Sequence, residues 1–168
     1  MPDTILLLLF PALMAYAAAS DLLTMTIPNR LSLALVAAFA ALVLLGVVPW
    51  RDAPMHLAAG VLVLAVCFGM FAAGWMGGGD AKLAAAVALW LGFDPLLQYL
   101  LVTAVAGGAL TLGLLAMRGL PLPGFALGWT WLTRLHDRNT GIPYGIALAG
   151  AALVVYPTSP VWLAGMGA

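Results

Sequence analysis

An all-α bundle of membrane helices, about six of them crossing the bilayer, follows from three observations on this chain. Its mean hydropathy is +1.12. Only 7% of its residues are charged, where soluble chains carry roughly 25%. Its apolar runs approach the roughly 17 to 25 residues that span a bilayer core. These runs are too long for strands and lack two-residue alternation, and an open sheet leaves backbone groups unsatisfied in lipid. With 168 residues, the chain is expected to form a single membrane-embedded domain, 1–168, with no separate soluble domain.

The first segment runs from about Thr4 to Ser20, is short, and contains Pro11. No basic stretch precedes it, so it reads as a transmembrane helix rather than a cleaved signal peptide. The second runs from about Leu31 to Val48 and stops at Pro49-Trp50. The third runs from about Leu57 to Trp75. The fourth starts at Ala81, fades at Gly92, and is too short to span alone. A half-length helix with a glycine-rich start places irregular backbone inside the membrane, which is tolerated only within protein or beside a watery cavity. The fifth runs from Pro95 to about Met117, and Ala104 and Gly108 form a small-residue pair suited to close helix packing. The sixth runs from about Pro143 to Leu163 and must tolerate Pro157 and Pro160. Between the fifth and sixth, residues 125–135 are apolar and Trp-rich; they form either an interfacial helix or a seventh, partly inserted segment. Trp50, Trp75, Trp90 and Trp162 fall near expected helix ends and read as interfacial anchors. His56 reads as an interfacial helix start.

With six spans, Arg30, Lys82, Arg118, Arg134 and Arg138 fall on one side and Arg51 on the other. The positive-inside rule places the five in the cytoplasm and both termini outside it. Composition also excludes several chemistries. Net charge is zero, so there is no nucleic-acid footprint. Cys67 is alone and the two histidines are far apart, so neither a disulfide nor a zinc site is expected. No HExxH, phosphate loop, or Ser-His or Cys-His constellation occurs, and no metal or cofactor is expected.

All six acidic residues are aspartates. Two stand out: Asp21 closes the first apolar segment and Asp80 follows Gly77-Gly78-Gly79. The topology brings both to the cytoplasmic face. An ionisable group at the edge of a membrane segment is expensive and points to function. Two close carboxylates cannot both ionise cheaply, so they share a proton. Such a pair supplies both a base that activates water and an acid for a leaving amine. The glycines let backbone and substrate approach closely. The plainer alternatives are a helix N-cap for Asp80 and a loop carboxylate for Asp21. Lys82 either snorkels to the interface or tunes Asp80.

At these residues the chain resembles the type IV prepilin peptidases, membrane aspartic proteases of the GxGD class. Three stretches carry the resemblance: Asp21 followed by Ile27-Pro28-Asn29, Gly77 to Asp80 with Lys82 and Leu83, and Pro143-Tyr144-Gly145 with Ala147. It implies that Asp21 and Asp80 are the catalytic pair. It further implies that Gly77, Gly79, Lys82, Pro28, Asn29, Pro143, Tyr144 and Gly145 shape the site or bind substrate. The substrates implied are prepilins or pseudopilins, cleaved at a short cytoplasmic leader at the inner membrane, with membrane lipid as the other partner. Larger members carry a zinc-binding four-cysteine insert for N-methylation; the short Asp21–Leu31 loop and lone Cys67 resemble instead the compact branch serving Flp/Tad-type pili. Residues 23–26 are Leu-Thr-Met-Thr, where the family often has basic residues. A proton-coupled transporter or channel subunit with the aspartates as a relay is the alternative from another class. A presenilin-like protease is a third; its Tyr-Asp pair has no counterpart at Tyr16 or Tyr99.

Overall fold

The computed structural model describes residues 2–167, and among these it contains helices and turns but no strand. Eight α-helices follow in order: α1 (Pro2–Thr24), α2 (Asn29–Leu44), α3 (Ala53–Ala72), α4 (Gly78–Leu91), α5 (Leu96–Arg118), α6 (Thr130–His136), α7 (Tyr144–Val155) and α8 (Pro160–Met166). The fold is the expected helical membrane bundle. By length and apolarity α1, α3 and α5 can each cross a bilayer, and the α7–α8 pair, bent by 48°, adds a fourth if it is taken as one span. The expected sixth segment is thus broken: a 3-10 turn at Tyr156–Thr158 and Ser159 separate its halves. Helix α2 has 16 residues and α4 has 14. At 1.5 Å per residue they rise roughly 24 and 21 Å, short of a hydrocarbon core of about 30 Å.

The short α4 is the centre of the bundle. It packs most extensively on α3, and also on α2, α7 and α8. Every residue from Leu83 to Leu91 is buried. A helix that is apolar all round belongs inside protein, and the alanines from Ala84 to Ala88 let its neighbours approach closely. Helix α1 packs on α7, α2 and α8, and α5 packs on α7.

Four aromatic rings lock the end of the bundle remote from Asp80. Phe10 stacks on Tyr156 at 4.2 Å and lies 5.0 Å from Trp90; Phe39 stands edge-on to Trp90. The Trp90 indole N–H donates to the Leu35 carbonyl at 2.9 Å, and the Tyr156 hydroxyl donates to Leu7 O at 3.2 Å. Trp90 is therefore a fully buried core residue, not the interfacial anchor its place near a helix end suggests. Trp162 packs half-buried against Tyr156, whereas Trp50 and Trp75 are exposed. His56 lies in the first turn of α3 but is buried, its Nδ1 bonded to Leu89 O at 2.9 Å beside Gly92.

One further expectation is corrected. Ala104 and Gly108 face outward on α5, and nothing lies within 4 Å of a Cβ at 108. The packing glycine is Gly107, covered by the Tyr144 ring. Residues 125–135 lie in a 3-10 turn at Gly124–Gly128 and the seven-residue α6, which is too short to span. This connection is tied down by Arg118, which is buried and donates to Leu135 O at 2.7 Å and Gly141 O at 2.8 Å. The last bond fixes the chain immediately before Pro143.

Candidate active site

Asp21 sits in the last turn of α1, which runs to Thr24 and so continues past the expected end at Ser20. The carboxylate is thus held by helix rather than loop, and the residue is only 5% exposed. Its Oδ2 accepts a 2.7 Å hydrogen bond from the Gly145 backbone N–H. This donor belongs to the first turn of α7, where helical N–H groups lack intrahelical partners. An anion there is stabilised by the helix dipole.

Asp80 sits in the first turn of α4, which begins at Gly78 rather than at Ala81. Gly77 is the N-cap, so Asp80 is the third helical residue. From that position its carboxylate turns back to the Gly77 N–H, as the acidic half of a capping box does. The N-cap expectation for Asp80 thus becomes an N3 role. Asp21 and Asp80 are near enough for their charges to influence one another, with Ile27 between the corners that carry them. The pair therefore joins the first turns of two helices and the last turn of a third.

Glycines make this approach possible. A Cβ at Gly145 would lie 2.8 Å from Asp21 Oδ2 and 2.7 Å from the Ile27 side chain. One at Gly77 would lie 2.9 Å from Asp80 Oδ2, and one at Gly79 would lie 3.2 Å from Ile27 Cβ. Ile27 is therefore a wedge between the two aspartate-bearing corners. The Asp-to-IPN motif contains it, but only Pro28 and Asn29 were expected to shape the site. The signal is an apolar residue held between Thr26 and Pro28 in a turn.

The strap carrying Ile27 is well braced. Met25 takes φ 57°, a left-handed conformation unusual outside glycine. Its N–H bonds Asp21 O at 2.8 Å; Ser20 Oγ donates to Thr26 O at 2.8 Å, and Arg134 donates to Leu23 O at 3.0 Å. Pro28 then caps α2 in extended backbone, and Asn29 begins the helix. The Lys82 ammonium donates to Asn29 Oδ1 at 2.9 Å, joining α4 to α2. Lys82 lies two residues beyond Asp80, about 200° round the helix, so it points away from the pair. Pro143 caps α7. Tyr144 turns its ring across α5 at Gly107, and Gly145 alone of the three meets Asp21 directly.

A family model described as the type IV leader peptidase family matches residues 8–112. The chain belongs to that family. The match takes in Asp21, Pro28, Asn29 and residues 77–82, and ends before Pro143. No curated protein and no solved structure matches the chain. As a leader peptidase it is a protease of the membrane, and its carboxylate pair is the site to ask for peptide-bond chemistry.

Proposed function

We propose that this chain is a membrane-embedded aspartic endopeptidase that removes the short cytoplasmic leader of prepilins or pseudopilins, in the compact branch that serves Flp/Tad-type pili. The convergence of the Asp21 and Asp80 corners on either side of Ile27, in a chain of the leader peptidase family, carries the reading. The two carboxylates share one proton. The ionised one takes a proton from water as the oxygen attacks the scissile carbonyl; the protonated one gives its proton to the leaving nitrogen as the C–N bond breaks. The Gly145 N–H orients Asp21, and the Gly77 N–H orients Asp80. Ile27, Pro28, Gly79 and the Lys82–Asn29 bond shape the approach.

The chain resides in the inner membrane with the site at the cytoplasmic face. Five of six cations fall on the Asp21–Asp80 side, which supports this orientation. Reporter fusions at Thr24 and at Arg138 are expected to read inside, and fusions at Arg51 and the C-terminus outside. A cytoplasmic C-terminus would reverse the assignment.

A site there meets its substrate where the apolar helix begins. Helical peptide bonds are shielded by their own hydrogen bonds, so the helix-poor junction is the accessible place to cut. Glycine at the junction fits an extended strand against the Gly77–Gly79 backbone. Purified protein in lipid should cut a candidate prepilin after the junction glycine. An isoleucine there is expected to slow cleavage by at least about tenfold, as extra buried volume in a fitted site does. Equal cleavage of both, or cutting deep within the apolar helix, would support a presenilin-like protease instead.

A further inference from the structure

The end of α4 remote from Asp80 meets a cavity of about 550 Å³ that leader cleavage leaves without a role. Gly92, which caps that end, lies roughly 18 Å along the helix axis from Asp80. The walls are the Val48–Pro49 corner, the start of α3, the Phe93–Asp94 turn and α8. Most of the lining is apolar, yet Asp52, His56 and Asp94 all open onto it.

His56 is only 5% exposed. Its ring sits against Gly92, where a Cβ would come within 3.0 Å of it. Its Nδ1 pairs with Leu89 O at 2.9 Å. A carbonyl only accepts, so Nδ1 carries a proton, and in the neutral ring Nε2 is then an acceptor. Nε2 has no hydrogen-bond partner among the described residues, and it is not sealed within the protein. A histidine that merely clamped α3 to α4 would need the Nδ1 bond alone. Here a second polar atom is held unpaired at the floor of a cavity, and such an atom calls for a partner.

The two carboxylates are available as well. Asp94 is exposed and forms no ion pair among the described residues. Asp52 stands at the N-cap of α3, but its side chain makes no capping bond and meets only the exposed Arg51, at 3.6 Å. The Phe93 ring lines the same space. Helix α4 ends there, and a helix C-terminus favours a cation. The described residues gather no set of three ligating side chains for a metal ion. Carboxylates, an imidazole acceptor and an aromatic ring together suit an organic ammonium ion instead. Val161 and Leu163 of α8 offer apolar surface to its carbon chain.

We propose that this cavity binds a primary alkylammonium group. The ammonium donates to His56 Nε2 and to the Asp52 and Asp94 carboxylates, with Phe93 beside the charge. The exposed Trp50, two residues before Asp52, places the site at the level of the lipid headgroups. The chemistry fits the ethanolamine headgroup of a phospholipid, with Arg51 next to Asp52 for the phosphate, and it fits a small soluble amine. The site stands independently of leader cleavage.

Histidine-selective nitrogen NMR of the full chain in phosphatidylcholine nanodiscs tests it, because only His56 and His136 give signals. Phosphatidylethanolamine mixed into the bilayer, and ethanolamine added to the buffer, are tried separately. At least one should move the His56 Nε2 resonance and leave His136 in place. A response to the lipid alone assigns a headgroup site; a response to ethanolamine assigns a site for soluble amines too. Choline has the charge but no N–H to donate, so it should leave Nε2 where it is. In Asp94→Asn the apparent affinity of the responding amine should fall roughly tenfold, the scale of one charge-assisted hydrogen bond. Asp94 is exposed, so the substitution spares the core. Asp137→Asn, beside α6 at the other end of α5, should bind as the wild type does. A His56 signal unmoved by either amine would overturn the proposal. So would an equal response to choline, or an unchanged affinity in Asp94→Asn.

Discussion

Asp21→Asn and Asp80→Asn are each expected to abolish prepilin cleavage while leaving the protein inserted and abundant. Asparagine keeps the size of the side chain and can still accept one hydrogen bond, but it cannot cycle a proton. General acid–base groups contribute roughly 100- to 10,000-fold to rate, and here each carboxylate also sets the protonation of the other. Stability should change little. The Gly145 and Gly77 N–H groups still find an oxygen in the asparagine. Detection of cleaved pilin by gel mobility, alongside membrane abundance of each variant, checks both halves of the expectation. Strong activity in either variant removes that residue from the mechanism.

Gly145→Ala is expected to be nearly as damaging, although it adds one methyl group. That methyl would sit 2.8 Å from Asp21 Oδ2 and 2.7 Å from the Ile27 side chain. Both distances are below any ordinary carbon contact, so something must move. The candidates are the Asp21 carboxylate and the Ile27 wedge, and either movement opens the pair. A displacement of about 1 Å in catalytic geometry costs roughly 100-fold. Gly150→Ala, on the same helix with nothing within 4 Å, is the control. It should leave kcat unchanged, and stability equal or slightly raised, because alanine favours helix over glycine. A Gly145→Ala enzyme with normal kcat would show that α7 does not fix Asp21.

The fold class and the two aspartates were legible in the sequence because hydropathy and rare charge act over whole segments. Boundaries were less so. Serine and aspartate suggest a stop at residue 20, but Thr24 and Ser20 satisfy their hydroxyls within and beside the last turn, and α1 runs on. The glycine run reads as a loop, yet Gly78 and Gly79 are helical, because glycine is what the crowded corner beside Phe71 and Ile27 admits. Trp90 reads as an anchor by its place near a helix end. Its burial depends on α1, α2 and the Tyr156 turn converging there, which no local pattern announces. The small pair Ala104 and Gly108 gave way to Gly107 for a similar reason: rotation of α5 is set by Tyr144, from a different helix. Ile27 illustrates the same limit within the site. Its neighbours Gly79 and Gly145 lie far along the chain, so its role emerges only from packing.

The central claim is that Asp21 and Asp80 act as one proton-sharing unit. The measurement that bears on it most directly is the single-turnover cleavage rate of a purified prepilin by wild type, each Asp→Asn variant, and the double variant. Groups that act as a unit are strongly non-additive. The prediction is that either single substitution lowers the rate about as far as both together. Losses that multiply, or a single variant that retains most of the wild-type rate, would contradict a shared site.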